Sequence, residues 1–501
     1  MTVDIYETIN NNIYNFPKKL PYVTVSSKGI SNGLSTIYND GADFGPDTYL
    51  GATTKNRYGP PYTQTSGILE ATNYQQQNGG IIKMLQGRYI ISPNAQLTQV
   101  NTSNYLGYPE YAVIPIQHEF SDTSMHAFNI EGIGGNIHPG GNTVANSGFD
   151  SNQLTLIDVS QLTNIPSNAS VVLFGYNRLN VSNPAIISEV INMHNFAILT
   201  ATPSTSGQNI CGGYDFTISV NASVTNVSVY SANSISNPVF PAEYVIGQAI
   251  DGHWGGQCWI DNVASFGMSY GFIIGGHVQA GSIITQSCYY GIVPWRGHDS
   301  VISKYDMQAC LYGIYISPAL GVGSLIIQQW ESEESGEING TPVTDIYTQG
   351  SNATIIIENF HSIYDGGTPN PRLPVISTSY PAGYFPVIIK NIQTQLPLVS
   401  GPTAGNVQIT VLEYTFSGTA PTGYKKMMFV FNGYENDTTT NQTIPFPSNS
   451  PPLNNQLSFV STPVITANNT GLTITPSTTG ITITSPNSTA TYNGIVIIEG
   501  Y

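Results

Sequence analysis

Three short segments constrain this chain more than any other feature. Tyr270-Gly271-Phe272-Ile273, Tyr290-Gly291-Ile292-Val293 and Tyr312-Gly313-Ile314-Tyr315 recur at spacings of about 20 and 22 residues. That period is one coil of a solenoid. The register extends upstream, where Met268, Cys288 and Cys310 share one position and Gln286 and Gln308 another. Equivalent residues in a parallel stack lie about 4.8 Å apart. The pattern therefore predicts ladders of like side chains, with an amide ladder at Gln286 and Gln308 and neighbouring thiols at Cys288 and Cys310. Ladder geometry seldom suits a disulfide, so free thiols are expected. The recurring glycine is expected at a turn that needs positive φ. Short apolar strands at 154–157, 171–174, 185–190, 216–220, 227–230, 325–327 and 354–357 continue the pattern.

Stacking also accounts for an unusual composition. Only 9% of residues are charged, against about 25% in ordinary soluble proteins. Ladders of like charge repel at this spacing, so uncharged stacks are favoured. Lys and Arg number 14 against 30 Asp and Glu, for a net charge of −16. Helical bundles need Glu, Lys and Arg that the chain lacks. Extended disorder needs a higher charge per residue. A basic nucleic-acid surface is excluded by the acidic balance, so no nucleic-acid partner is expected. Few carboxylates also leave few native ion pairs to lose on acidification, and an acid-tolerant fold is the expectation.

The N-terminus, Met1-Thr2-Val3-Asp4-Ile5-Tyr6-Glu7, has neither a basic segment nor an apolar core of the secretory type. No apolar run approaches the ~18 residues of a membrane span, so no span is expected. A polar, Tyr- and Gly-rich β composition belongs outside cells, yet no signal peptide is legible. A virion protein made in the host cytoplasm reconciles the two; a mature secreted chain is the alternative. The four cysteines, Cys211, Cys258, Cys288 and Cys310, form no C-x-x-C pair. Neither a zinc site nor a disulfide scaffold is expected, and no cofactor is implied.

The chain divides, on this reading, into an N-terminal virion-attachment segment at 1–35, a solenoid at 36–395 and a C-terminal β-sandwich at 396–501. A frayed terminus is the alternative for the first segment. Segment 94–150 is Gly- and Asn-rich and reads as an inserted loop region. Ile37-Tyr38-Asn39-Asp40-Gly41-Ala42-Asp43 reads as a strand entering a turn. Thr65-Ser66 can cap a helix through Ile68, Leu69, Ala71 and Tyr74 that ends before Gly79-Gly80. Strands around Gly87 follow, ending at Ile91. Past residue 396, short strands separated by Asn, Pro, Ser and Gly turns are of the sandwich type.

The order D-G-A-D, helix, then G-G-x-I-x-x-x-x-G-x-Y-x-I, carried by Asn39 to Asp43 and Gly79 to Ile91, resembles the opening of the pectate-lyase-like right-handed β-helix superfamily. That superfamily holds polysaccharide lyases, glycoside hydrolases and viral tailspikes. The resemblance implies an all-β chain: a right-handed parallel β-helix whose open end is capped by the short helix. The C-terminal pattern, F-N-G-Y-x-x-x-T-x-x-x-x-x-I-x-F-P closing on G-x-x-I-I-E-G-Y, resembles modules of tail-fibre and tailspike proteins from spindle-shaped viruses of thermoacidophilic archaea. These resemblances imply a homotrimer that docks on a virion tail or adaptor protein through its N-terminus. They imply attachment to a host surface glycan or glycosylated surface protein, with cleavage of the glycan as an additional activity. A secreted polysaccharide hydrolase or lyase is the alternative, and a structural virion protein or adhesin without a glycan site is another.

The lyases of the superfamily use Ca²⁺ held by Asp clusters, with an Arg or Lys base. Here the only D-x-x-x-D spacing is Asp43 to Asp47, and Arg178 and Arg296 are the only basic residues between 89 and 303. A lyase mechanism is therefore disfavoured, and no metal site is expected. One stretch is richer in chemistry. Residues 251–334 hold all four Trp together with Asp251, His253, Asp261, His277, His298, Asp299, Glu331, Glu333 and Glu334. Aromatic faces stack on sugar rings, and carboxylates accept from hydroxyls. Trp254, Trp259, His277, Trp295, Arg296, His298, Trp330 and Glu333 are the expected glycan contacts. Core packing is the competing role for Trp254 and Trp259. Asp299 and Glu331, placed one to two coils apart, are the expected catalytic pair, with the longer spacing of an inverting hydrolase. A turn residue and a solvated loop are the competing roles for that pair.

Overall fold

Apolar alternation builds the first strand pair. Tyr22–Val25 runs parallel to Ile81–Met84, burying Val23, Val25, Ile82 and Met84 while Ile81 and Lys83 face outward. In the computed structural model the described residues are 21–28, 42–46, 63–117, 127–134, 154–179, 189–201, 210–217, 220–231, 244–251, 257–295, 299–316 and 324–334, followed by the strands named below. The chain is mostly β, with one described α-helix, Ile68–Asn78. It divides into two units, Met1–Ile292 and Val293–Tyr501.

In the first unit the chain alternates between two parallel sheets. One sheet runs in the order Tyr22–Val25, Ile81–Met84, Phe128–Glu131, Glu189–Leu199, Val220–Tyr230, Cys258–Asp261, Val278–Gln286. The other runs Tyr270–Ile274, Tyr244–Asp251, Ile210–Thr217, Ser170–Tyr176, Glu110–Ile116, and ends on Thr98–Asn101, its one antiparallel member. Between Glu189 and Gln286 the strands alternate between the two sheets, except that Cys258–Asp261 is followed by Val263–Phe266 of the same sheet. Inward residues join them: Phe174 lies 5.8 Å from Phe128 and 6.0 Å from Phe196, ring centre to ring centre. Tyr230 stacks on Phe266 at 4.7 Å.

The strands of the first sheet turn a corner, and asparagines hold it. Asn195, Asn226 and Asn262 have φ of 63°, 54° and 51°. Asn tolerates this left-handed backbone better than other residues with a Cβ. Asn226 Nδ2 donates to Asn195 Oδ1 at 2.8 Å, and Asn262 Nδ2 donates to Asn226 Oδ1 at 2.6 Å. Gly132 precedes this column; a Cβ there would meet the backbone oxygen of Asn195.

The recurring Tyr-Gly glycines serve packing, not the expected positive φ. A Cβ on Gly271 would fall 2.6 Å from the Gly291 oxygen and 3.0 Å from Thr285 Cγ2. The left-handed turn falls four residues earlier, at Gly267 (φ 69°) and Ser287 (φ 53°). All four cysteines are buried, and none forms a disulfide.

The N-terminal motif is structural. Asp43 accepts from Thr24 N at 2.8 Å and Thr24 Oγ1 at 2.9 Å, stitching the turn to the first strand. Residues 22–25 of the expected attachment segment thus belong to a sheet; 1–20, with the remainder of that expectation, lie outside the described residues. The N-cap is Gly67 rather than the expected Thr65-Ser66, while Thr65 Oγ1 accepts from Leu69 N and donates to Glu70 Oε2, both at 3.1 Å. Gly67 enters the helix at φ 84°. Segment 94–150, expected as loop, contributes three strands; Glu110–Ile116 pairs in parallel with Ser170–Tyr176.

In the second unit one parallel set is Asp299–Gln308, Ser324–Glu334, Thr354–Tyr364 and Val387–Gln393. The other is Tyr312–Ile316, Thr344–Thr348, Ile376–Thr378 and Val399–Ser400. Parallel pairing therefore persists to residue 400. From Val407 all described pairing is antiparallel: Tyr424–Glu435 lies between Val407–Thr415 and Thr491–Gly500, and Gly480–Thr484 lies between Asn441–Pro445 and Thr473–Ser477.

Asn226→Ala removes two ladder hydrogen bonds and forces a Cβ-bearing apolar residue into the left-handed region. A loss of about 2–4 kcal/mol is expected from those two effects, read by chemical denaturation. Asn226→Gly keeps the backbone freedom and should lose less.

Candidate functional site

Strand alternation sends Ile130, Met193, Val224, Ile260 and Ala280 of the first unit inward. Their neighbours form two outward rows on consecutive strands. One row is Asn129, Asn192, Ser223, Trp259 and Gln279. The next is Lys83, Glu131, His194, Thr225 and Asp261. Five strands at ~4.8 Å spacing make a face roughly 19 Å long across the strands.

The face is polar and organised. Asn192 Nδ2 donates to Asn129 Oδ1, and Asn129 Nδ2 donates to the Ala127 oxygen at 3.0 Å. Asp261 Oδ1 accepts from Ser282 N at 3.0 Å. Gly281 lies beside that carboxylate, where a Cβ would collide with it. Burial pushes the His194 pKa down, against the opposing pull of Glu131. Trp259 is 54% exposed, a large aromatic surface set among amides, a hydroxyl and a carboxylate. His277, in left-handed backbone at φ 58°, closes the adjacent corner by accepting from Cys258 N at 3.0 Å.

The expected site residues do not converge. Trp259 belongs to this face, and His277 to the corner beside it. Trp254, Arg296 and His298 lie outside the described residues. Trp295 is 8% exposed and Trp330 only 1%, which corrects their expected sugar-stacking role. Trp330 alternates inward on its strand and packs between Tyr305 at 5.2 Å and Phe360 at 4.9 Å. It also fills the space over Gly313, whose added Cβ would meet its ring at 2.7 Å.

The expected catalytic pair is also corrected. Asp299 stands opposite Ser324, while Glu331, seven residues further along that strand, stands opposite Asp306. Asp299 and Glu331 are therefore separated by roughly 23 Å of extended chain, at about 3.3 Å per residue. Neither the inverting nor the retaining spacing fits. Glu331 instead lies 3.9 Å from Lys304 and is in register with His361. Glu333, half-buried, sits opposite Gln308.

Sequence reasoning missed Asn129, Asn192, Glu131 and His194. The signal was present as an apolar-x-Asn-apolar pattern at Met193 to Phe196, Val224 to Val227 and Ile260 to Val263, which marks the corner beside the face. Among the described residues no group of three or more His, Cys, Asp or Glu is placed to hold a metal. No described helix is long and apolar enough to cross a membrane. No protein-family model matches the chain, and no curated protein matches it.

The two tryptophans should separate cleanly. Trp330→Ala is expected to cost about 3–5 kcal/mol of stability. Trp259→Ala should stay within about 0.5 kcal/mol of the wild type. Paired denaturation curves check both.

Proposed function

We propose that this chain is a virion tailspike or tail-fibre protein that attaches to host surface glycans through the face around Trp259. Its fold, on this reading, is a right-handed parallel β-helix at 36–395, followed by a C-terminal β-sandwich. Support comes from the strands that alternate between two parallel sheets within each unit, and from the asparagine ladder at the corner. The right hand follows from the near-universal handedness of parallel crossovers. An N-terminal segment docks on a virion tail or adaptor, and three chains associate.

One observation carries the glycan reading: Trp259 is exposed in a row of amide and hydroxyl side chains that repeats from strand to strand. An aromatic face stacks on the apolar side of a sugar ring while amides meet its hydroxyls. The strand repeat of ~4.8 Å is close to the rise of an extended sugar chain, so successive sugars meet successive strands. Recognition, rather than cleavage by Asp299 and Glu331, is the activity this arrangement supports.

Binding of the purified chain to host-cell surface polysaccharide provides the test. Trp259→Ala is expected to weaken it roughly tenfold or more, as loss of a central aromatic anchor does. Asn192→Ala should weaken it less. Wild-type binding retained by Trp259→Ala overturns the assignment of the face.

A further inference from the structure

A second cluster lies in the other sheet of the first unit, away from the Trp259 face. Glu110 and Asp215 are each 1% exposed. The strands that carry them bend, because parallel pairing skips Val113, Leu173 and Gly213. Inside the bend, a Cβ on Gly175 would fall 2.9 Å from Ala112 Cβ and 3.1 Å from Val172 Cγ2. Segment 98–109 covers this hollow, with Val100 packed on Ala112 and Val172. Asn104 shapes the segment, its Oδ1 accepting from Leu106 N at 2.9 Å and Tyr108 N at 3.1 Å.

Two links tie the covering segment to the acidic pair. Arg178 Nη2 lies 3.2 Å from Asp215 Oδ1, and the backbone N–H of Arg178 donates to the Val100 oxygen at 2.7 Å. Glu110, which joins the segment to its strand, lies close enough to Asp215 for the two carboxyls to act on each other. Glu110 Oε1 receives no hydrogen bond from any described donor; a proton of its own turns that oxygen into a donor. Among the described residues, the Tyr105 hydroxyl of the covering segment also faces both carboxyls, and Tyr270 faces Tyr105 in turn. Among the described residues Arg178 is the one cation at the pair, so one carboxylate charge is balanced and a second is not.

We propose that a proton held by Glu110 beside Asp215 latches segment 98–109 into the bend, so that the segment is closed in acid and opens as pH rises. Burial, and then the charge of Asp215, push the Glu110 pKa well above the ordinary value of 4.5; Arg178 opposes them. A carboxyl raised on folding contributes stability that is complete below its unfolded value. That contribution is lost as pH climbs through the raised one. The latch therefore strengthens with acidity, opposite to an ordinary ion-paired carboxylate.

Hydrogen–deuterium exchange on the full chain, corrected for intrinsic rates, tests the latch between about pH 5 and about pH 8, a window above the usual Glu value. Protection of the amides at 98–109 should fall at least tenfold across that window in the wild type. It should stay level in Glu110→Gln, which keeps a donor that cannot ionise. Level protection in the wild type, or an equal fall in Glu110→Gln, overturns the proposal. Infrared difference spectra of the wild type give a readout independent of any variant. A protonated-carboxyl band that outlasts the ordinary carboxyls and fades over the same window as the protection is expected, and its absence overturns the held proton.

Discussion

Stacking of like on like at one strand spacing governs this molecule. A side chain in a parallel stack meets its equivalents on the strands either side, so each position must suit itself as a neighbour. Asparagine meets that demand. Its amide donates to the strand on one side and accepts from the other, and its short side chain tolerates left-handed backbone. Asn195, Asn226 and Asn262 use both properties at once, which fixes where three successive strands turn. Inward positions meet the same demand with aromatic stacks such as Tyr230 on Phe266.

Charge is the residue property that fits this rule worst. A column of carboxylates repels itself, so charged groups occur where the column is broken or mixed. The outward row Lys83, Glu131, His194, Thr225, Asp261 alternates in character from strand to strand. Glu331 has Lys304 within 3.9 Å. The low charge content is thus a consequence of stacking, and the charged groups that remain mark places where the repeat does something else.

The repeat was legible in the sequence because it is made of local tokens. Tyr-Gly at three positions suggested the coil length, and within the first unit Tyr270–Ile274 does return beside Tyr244–Asp251 in the same sheet. The role of the glycine was not legible. Whether Gly271 serves a turn or clears space for Gly291 and Thr285 depends on atoms from the next coil, and composition cannot distinguish them. Trp330 illustrates the same limit. A Trp beside Glu331 reads as exposed, yet alternation sends the Trp inward and the Glu outward, and only the register with Tyr305 and Phe360 decides which. Asp299 and Glu331 failed as a pair for a related reason. Counting coils places two residues on neighbouring strands, but not at the same height along them.

The acidic pair at Glu110 and Asp215 was the least legible feature, since 105 residues separate its members in the sequence. It also changes what the low charge content means. A shortage of ion pairs protects a fold against acid passively, because little is lost when carboxylates are neutralised. A buried carboxyl that is already protonated acts differently. It needs no neutralising in acid, and its cost is felt only when pH rises and a second negative charge appears beside one arginine. A chain assembled around stacked neutral columns has few means of dispersing such a charge. The same constraint that thins out ionisable groups everywhere else makes the few that are buried unusually sensitive to the proton they hold.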